Sequence, residues 1–515
     1  MARKACLVKR ISAEKRVRSL SSYTSRLSTG FRAGFTRYAS RGALALLLAL
    51  AGCGDGGSGG GPPPPASVGT LAYEVTACRE DATRRVGHQE LRIRQGDRAP
   101  ATVAVTDTYV QEPPVLPGTC GVFGTSRVGS IAVFAGGIQR LGVSPDGSGV
   151  VFEATNRFSI LRPPPLAPAR EGFFFVRADG SGLRRLGDPS RESLTRIVLD
   201  PSFPGGARLD FDVAPLSFSA DGRTVVFADR GPGPGGEDAA QVVTLDLATG
   251  TRRQVTRLPR APIDPASLDL TVVRFLPDGT IIFSTRANLD GHHPGFWGYT
   301  VQPDGTNLTL EPLPVVGPGS VIEPTFQITG DKATAINYAL PDGSQEVFLL
   351  DHKNLLQLTN FRRPDTLRGT LDADRQRVFL LASANPPGLG GSNADENCQI
   401  FSISTLGTDL RQLTDFSQGG PSALGCALTV PGRLGGLPPG CLIEAPRQDP
   451  MTGALVFASS CDPFDTNPLG EQVFAMYPDG TGMQQLTDTS GFTTEADGTV
   501  NVELPGPFAS TAVRR

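Results

Sequence analysis

The sequence predicts an all-β chain built from one four-stranded antiparallel unit repeated along most of its length. Three observations predict it. Glycine and proline are abundant, 62 and 44 of 515 residues, and long apolar patterns of helical period are few, which points to many turns between short strands. A turn motif centred on Asp-Gly recurs, each time followed by a β-branched and aromatic run. A second hairpin and a further short strand follow most copies.

The first copy is Val143-Ser144-Pro145-Asp146-Gly147 with Val150-Val151-Phe152, and the second is Phe218-Ser219-Ala220-Asp221-Gly222 with Val225-Val226-Phe227. The third is Phe275-Leu276-Pro277-Asp278-Gly279 with Ile281-Ile282-Phe283. Weaker copies stand at Ile328-Thr329-Gly330-Asp331, at Leu371-Asp372-Ala373-Asp374, and at Asp449-Pro450-Met451-Thr452-Gly453. Asp supplies a side chain that bonds its own turn and Gly supplies positive φ, so the chain reverses between two strands. The run that follows has the composition of a buried strand. Second hairpins close at Asp179-Gly180, Thr249-Gly250 and Asp479-Gly480, and the last strands read Gln254-Val255-Thr256, Gln357-Leu358-Thr359, Gln412-Leu413-Thr414 and Gln485-Leu486-Thr487. Two hairpins per repeat make four strands.

Successive motif aspartates from Asp146 to Asp374 lie 75, 57, 53 and 43 residues apart. That is the spacing of β-propeller blades with loop inserts; a solenoid would have shorter, more uniform coils, and a sandwich would not repeat its sequence. Leu71–Val75, Glu90–Ile93 and Thr102–Val105 read as the second, third and fourth strands of a blade without a first. Val500–Leu504 or Pro507–Ala509 could supply it, closing the ring by pairing the two ends. Seven blades result, with six or eight as alternatives because residues 106–137 are hard to assign.

The order Ser-Pro-Asp-Gly, strand, Asp-Gly-Ser-Gly, Arg-Arg-Leu, seen at 144–147 and 179–186, resembles the TolB-type, WD40-like propeller repeat, and the likeness covers nearly all of 68–515. It implies a single propeller and does not carry over a cell-division role.

The N-terminal region is of another kind. Ala43 to Ala51 is uncharged and apolar, too short to span a bilayer, and reads as a signal h-region. It ends in Leu50-Ala51-Gly52-Cys53, which resembles the lipobox of bacterial lipoproteins. The resemblance implies cleavage before Cys53 and lipid on its thiol and new amine, a stable anchor because more than one chain is attached. An ordinary secretory peptide is the alternative. The basic stretch before the h-region is long, which suggests a translation start placed too far upstream, a long n-region, or a transit peptide. The chain therefore divides into a leader (1–52), a lipidated Gly/Pro-rich tether (53–67) whose prolines stiffen it, and the propeller (68–515). Gly54 after the lipidated cysteine, in place of aspartate, favours the outer membrane of a Gram-negative envelope.

The whole chain carries net charge −3. The leader holds 11 Lys/Arg and one acid, so the remainder has 37 bases against 50 acids and a net charge near −13. Nucleic acid is not an expected partner. Six cysteines follow the anchor: Cys78, Cys120, Cys398, Cys426, Cys441 and Cys461. An even number in an exported chain reads as disulfides. Local order suggests Cys78 with Cys120, Cys426 with Cys441, and Cys398 with Cys461, among 15 connectivities.

Signals for chemistry are thin. His292-His293, with Asp290 and Trp297, lies on a loop that could hold a metal or a sugar, yet adjacent histidines in an extended loop point apart and spacing gives no third ligand. The Gly56–Gly60 match to Gly-x-Ser-x-Gly sits in the tether, where no strand-to-helix elbow forms. Asp372-Ala373-Asp374 reads as a turn, and so do the motif aspartates, rather than as calcium ligands. No catalytic residue and no cofactor is implied. The expectation is a lipid-anchored propeller that binds protein or glycan without turnover; the alternative is a polysaccharide-active lyase or hydrolase on the same fold.

Overall fold

The computed structural model describes residues 64–510 except 82–84, 106–108, 112–136, 156–169, 193–194, 200–206, 212–215, 261–269, 277, 286, 288, 290–296, 311–326, 329–332, 341, 352–353, 364–368, 373, 375, 387–388, 390–392, 417–442, 444–445 and 467–471. Every regular element among them is a strand. Six four-stranded antiparallel sheets follow one another along the chain as blades of a propeller ring: blade 1 (137–187), blade 2 (217–254), blade 3 (270–310), blade 4 (327–357), blade 5 (369–412) and blade 6 (447–485). A separate two-stranded ribbon, Thr195–Leu199 with Ala207–Phe211, stands between blades 1 and 2.

The ring is closed by a sheet made from both ends. Thr70–Glu80 pairs with Arg85–Gln95 on one edge and with Val500–Ser510 on the other, from Leu71↔Ser510 to Glu80↔Val500. The C-terminal strand thus takes the first-strand position expected for it, and one strand spans both candidate segments. The sheet is larger than a blade: Gly491–Thr494 adds a strand beyond the C-terminal one, and Tyr109–Gln111 adds another beside Arg85–Gln95. The count of seven is reached only by including this terminal sheet; the four-stranded blades number six among the described residues.

Blades pack through apolar faces on both sides, which explains why their second strands read as continuous hydrophobic runs. In blade 1, Val150 and Phe152 enter the core shared with the terminal sheet, while Val151 enters the core shared with blade 2. In blade 2, Val225 and Phe227 face blade 1 and Val226 faces blade 3. Further cores join blades 4 and 5, blades 5 and 6, and blade 6 with Leu71, Tyr73 and Val75 of the terminal sheet. Alternation along each strand therefore distributes side chains between two interfaces rather than between core and solvent.

The Asp-Gly motifs are turns. Asp146 Oδ1 accepts from Ser144 Oγ (2.6 Å) and Ser148 N (3.0 Å), Asp221 Oδ1 accepts from Ser219 Oγ (2.6 Å) and Arg223 N (3.1 Å), and Gly147 and Gly222 both sit at φ 69°. These bonds hold both carboxyls below the ordinary aspartate range, the seryl hydroxyl being the largest cause in each. Asp372 likewise accepts from Gln376 N (2.7 Å) and Arg377 N (3.1 Å), but burial pushes its carboxyl up.

The threonine of each Gln-x-Thr last strand belongs to a buried clamp. In blade 6, Thr487 Oγ1 donates to Gln472 Oε1 (2.6 Å) and accepts from Val473 N (2.9 Å), while Gln472 Nε2 donates to Thr489 O (2.8 Å). The same bonds link Thr256 to Gln241 and Val242 in blade 2, and Thr414 to Gln399 and Ile400 in blade 5. Blade 4 uses Thr359 and Glu346, whose carboxylate also accepts from Phe361 N (3.0 Å) and Arg362 N (2.6 Å). The clamp satisfies buried polar groups while fastening the outermost strand, which has a neighbour on one side only.

Candidate functional site

Antiparallel connectivity sorts the loops. Within each blade the first-to-second and third-to-fourth turns lie at one end of the ring, and second-to-third turns and inter-blade connections lie at the other. At the first end every connection is short, as at 144–148, 178–183 and 477–483. The connections that leave from and return to strand ends at the second end are the long ones in sequence, among them those spanning 156–171, 188–216, 286–296, 383–398 and 413–446. Two tight Asp-Gly turns, Asp342-Gly343 and Asp497-Gly498, also lie there. The insert end is the face with material for recognition.

At that end a buried polar network roots the connection bearing the ribbon. Arg140, on the first strand of blade 1, is 3 % exposed and pairs through Nη1 with Glu153 Oε2 on the second strand, 0 % exposed. Glu153 Oε1 accepts from Ser190 N, and Arg140 Nη2 donates to Glu192 O (3.2 Å) and Ala228 O (3.3 Å). Asp229 of blade 2 accepts from Arg191 N (2.7 Å) and Arg252 Nη1 (2.9 Å), and Arg230 pairs with Glu192 (2.9 Å) and Asp238 (3.0 Å). The Phe173 and Phe227 rings, 4.6 Å apart, lie under the partly exposed Arg252 guanidinium at 5.2 and 5.5 Å, a cation–π arrangement. Burial pushes the Glu153 carboxyl up against the opposing pull of Arg140 and Ser190, and burial lowers Arg252 against Asp229.

This junction is where the repeat departs from its own rule. In blade 1 the clamp positions are Gly172 and Gly187; a Cβ on Gly172 would lie 2.2 Å from Gly187 O. Where other blades place a Gln-Thr pair, blade 1 brings two backbones together and puts an ion pair beside them. Such breaks in local consistency mark sites under another constraint. The signal was present in the sequence: Glu153 interrupts the apolar run Val150-Val151-Phe152, and Gly187 stands where the repeat has threonine. Its geometry fastens the Ser190–Glu192 start of the ribbon-bearing loop to blades 1 and 2. Its four arginines and four acids are mutually engaged, which suits support rather than proton transfer.

Several sequence-stated positions fall outside the described residues: Cys53, Cys120, Cys426, Cys441, Asp290, His292 and His293. Trp297 opens the third strand of blade 3, opposite Thr285, in the register position that glutamine occupies in blade 2. Cys78 lies on the terminal-sheet strand, opposite Gly87 and Val502. Cys398 and Cys461 are buried in the core between blades 5 and 6, and both are half-cystines. Both stand in one buried cluster, as the expected Cys398–Cys461 pair requires. Among the described residues no group of three or more His, Cys, Asp and Glu side chains is placed to hold a metal ion.

Neither a family model nor a curated protein matches this sequence. The fold is similar to solved structures at low identity. An oligogalacturonate lyase in complex with manganese is 10 % identical with a TM-score of 0.39, covering 77 % of this chain and 95 % of that one. A prolyl endopeptidase is 10 % identical with a TM-score of 0.41, covering 83 % of this chain and 53 % of that one. A structure assigned as TolB from Agrobacterium tumefaciens is 16 % identical with a TM-score of 0.32, covering 61 % and 100 %. At this distance the likeness carries no argument about chemistry.

Proposed function

We propose that the protein is a lipid-anchored envelope propeller that uses its insert end to bind a protein or glycan without turning it over. The observation that carries the reading is the sorting of long connections, including a ribbon rooted in a buried ion-pair network, to one end of the ring. A rigid scaffold displaying varied loops on one face is how binding modules are commonly built. The Leu50–Cys53 sequence supports export and lipidation at Cys53, and the half-cystine state of Cys398 and Cys461 agrees with an oxidising compartment.

Three measurements test it. Cys53→Ser should move the protein from membranes to the soluble fraction of its host; continued membrane fractionation removes the anchor. Thiol titration of the purified, unfolded chain should find the six remaining cysteines oxidised. Crosslinking in membranes should retain a partner through the intact chain and lose it when residues 195–211 are replaced by a short Gly/Ser linker, with the circular dichroism unchanged. Turnover of an acidic polysaccharide, abolished by chelator and by His292→Ala with His293→Ala, would replace this reading with the enzymatic one.

A further inference from the structure

The end of the tether is docked on the propeller at the short-turn end. Ala66 N donates to Gly482 O (2.7 Å), Gln484 Nε2 donates to Ala66 O, and the Tyr477 hydroxyl donates to Pro65 O (3.4 Å). Ala66 and Val68 are 0 % and 2 % exposed, in the core that joins blade 6 to the terminal sheet. Gly482 belongs to the third-to-fourth turn of blade 6, and a Cβ there would lie 2.8 Å from Pro64 O. From this attachment only residues 54–63 separate Pro64 from Cys53, a reach of about 35 Å at full extension.

The same end bears most of the exposed large apolar side chains among the described residues. Leu183, Leu308 and Leu406 sit in third-to-fourth turns of blades 1, 3 and 5, and Met451 sits in the first-to-second turn of blade 6, with exposures from 44 % to 78 %. Of the remaining two, Leu356 is on the outer strand of blade 4 and Phe464 is at the insert end. A turn needs no leucine for its geometry, and single exposed apolar residues need no explanation. Four of them on separate blades all lie at the end to which the tether is fastened.

We propose that the short-turn end of the propeller rests on the bilayer that holds the anchor, with Leu183, Leu308, Leu406 and Met451 at headgroup depth and the insert end turned away from the membrane. The proposal rests on lipidation at Cys53. Apolar side chains entering the headgroup boundary add weakly to an anchor that is already attached, and a short tether keeps them close to the surface. The turn aspartates at this end, Asp179, Asp304 and Asp479 among them, interact with arginines of the same end, Arg177, Arg253 and Arg411, so the contact is assigned to the apolar side chains and a zwitterionic bilayer is its probe. The partner of the insert end is then a soluble or wall-borne molecule, not a lipid.

The test uses the full lipidated chain in phosphatidylcholine vesicles. Leu308→Trp and Leu406→Trp each add a tryptophan to a chain that has one, and Phe464→Trp adds one at the opposite end. On the vesicles, the Leu308→Trp and Leu406→Trp proteins should show blue-shifted added emission that brominated phosphatidylcholine quenches, with the Phe464→Trp increment unmoved. Absence of quenching at both turn positions, or quenching confined to position 464, overturns the orientation while leaving the anchor intact. Vesicle flotation measured alongside separates the two failures: if the parent does not float, or floats no better than Cys53→Ser, the anchor falls and the orientation with it.

Discussion

Arg92 Nη2 lies 2.7 Å from Glu503 Oε1, joining residues 411 positions apart across the seam of the ring. Arg92 also bonds Glu90 through Nε at 2.9 Å, and the second oxygen of Glu503 accepts from Ser490 N (3.0 Å) and Ser490 Oγ (2.8 Å). Backbone pairing between the end strands supplies most of the closure, but a ladder alone is tolerant of slippage. The guanidinium between two carboxylates gives this seam one favoured register, and a bulge between Tyr73 and Val75 accommodates the stretch from Pro505 to Phe508.

Removing either partner should loosen the seam. Arg92→Met and Glu503→Gln are expected to cost about 1–3 kcal/mol each, the range for hydrogen bonds to charged groups that are partly buried. Burial works to raise the Glu503 carboxyl, but Ser490 and Arg92 outweigh it, and the group lies below its ordinary value. Its contribution is therefore complete above the unfolded glutamate pKa of about 4.3 and is lost as pH falls through the lower folded value. Urea unfolding at neutral and acid pH checks both points. Glu503→Gln should flatten the acid limb, and an unchanged limb would assign closure to the backbone ladder alone.

Thr487→Val in blade 6 keeps the side-chain shape and removes one buried donor and one buried acceptor. Val473 N and Gln472 Oε1 each lose a partner, for an expected loss of about 1–3 kcal/mol. Glu346→Gln should also cost stability, although other blades use glutamine at 241, 399 and 472. Phe361 N bonds Oε2 of Glu346 and Arg362 N bonds Oε1, so in the variant one of the two amides faces the new NH2 group and loses its acceptor, for about 1–3 kcal/mol. Thermal unfolding of the two variants measures both losses.

The Arg140–Glu153 pair makes a sharper prediction. Arg140→Met leaves a buried carboxylate without its cation and should cost about 3–5 kcal/mol, whereas Arg140→Met with Glu153→Leu should recover much of the loss. A double-mutant cycle by denaturant unfolding measures the coupling. In the double variant the ribbon root loses the Ser190 N and Glu192 O contacts, so proteolysis within 188–216 should quicken even where global stability returns.

Most of the architecture was legible because a propeller states itself many times. The Asp-Gly turns, the strand runs such as Ile281-Ile282-Phe283, and the reuse of Val500–Leu504 as a first strand each follow from local chemistry. Less visible was what depends on a partner far away in sequence. Arg92 reads as one more exposed arginine until Glu503 is placed beside it, and Gln472 reads as a surface glutamine until Thr487 is buried against it. The extra strand Gly491–Thr494 lacks a repeat signal altogether. The site was harder still, because the ion-pair network is a departure from the repeat and such departures resemble ordinary variation in one sequence. Glu153 within an apolar strand was the one clue that burial physics could have raised.

Two glycines separate backbone strain from close packing. Gly279 and Gly480 have nearly the same positive φ, 84° and 87°, so alanine at either must enter the left-handed region at about 1–2 kcal/mol. Around Gly279 a Cβ would meet nothing within 4 Å, while at Gly480 it would lie 2.8 Å from the Leu413 carbonyl oxygen. Leu413 belongs to the preceding blade, so the second clash falls on a joint of the ring and must be relieved by moving one blade against its neighbour. Gly279→Ala should therefore show the strain cost alone, and Gly480→Ala should lose more. Hydrogen exchange locates the difference: protection should fall in the Gln-x-Thr strand of blade 5 for Gly480→Ala and stay local to the turn for Gly279→Ala. Equal losses in the two variants would mean that the turns, not the blade joints, set the need for glycine.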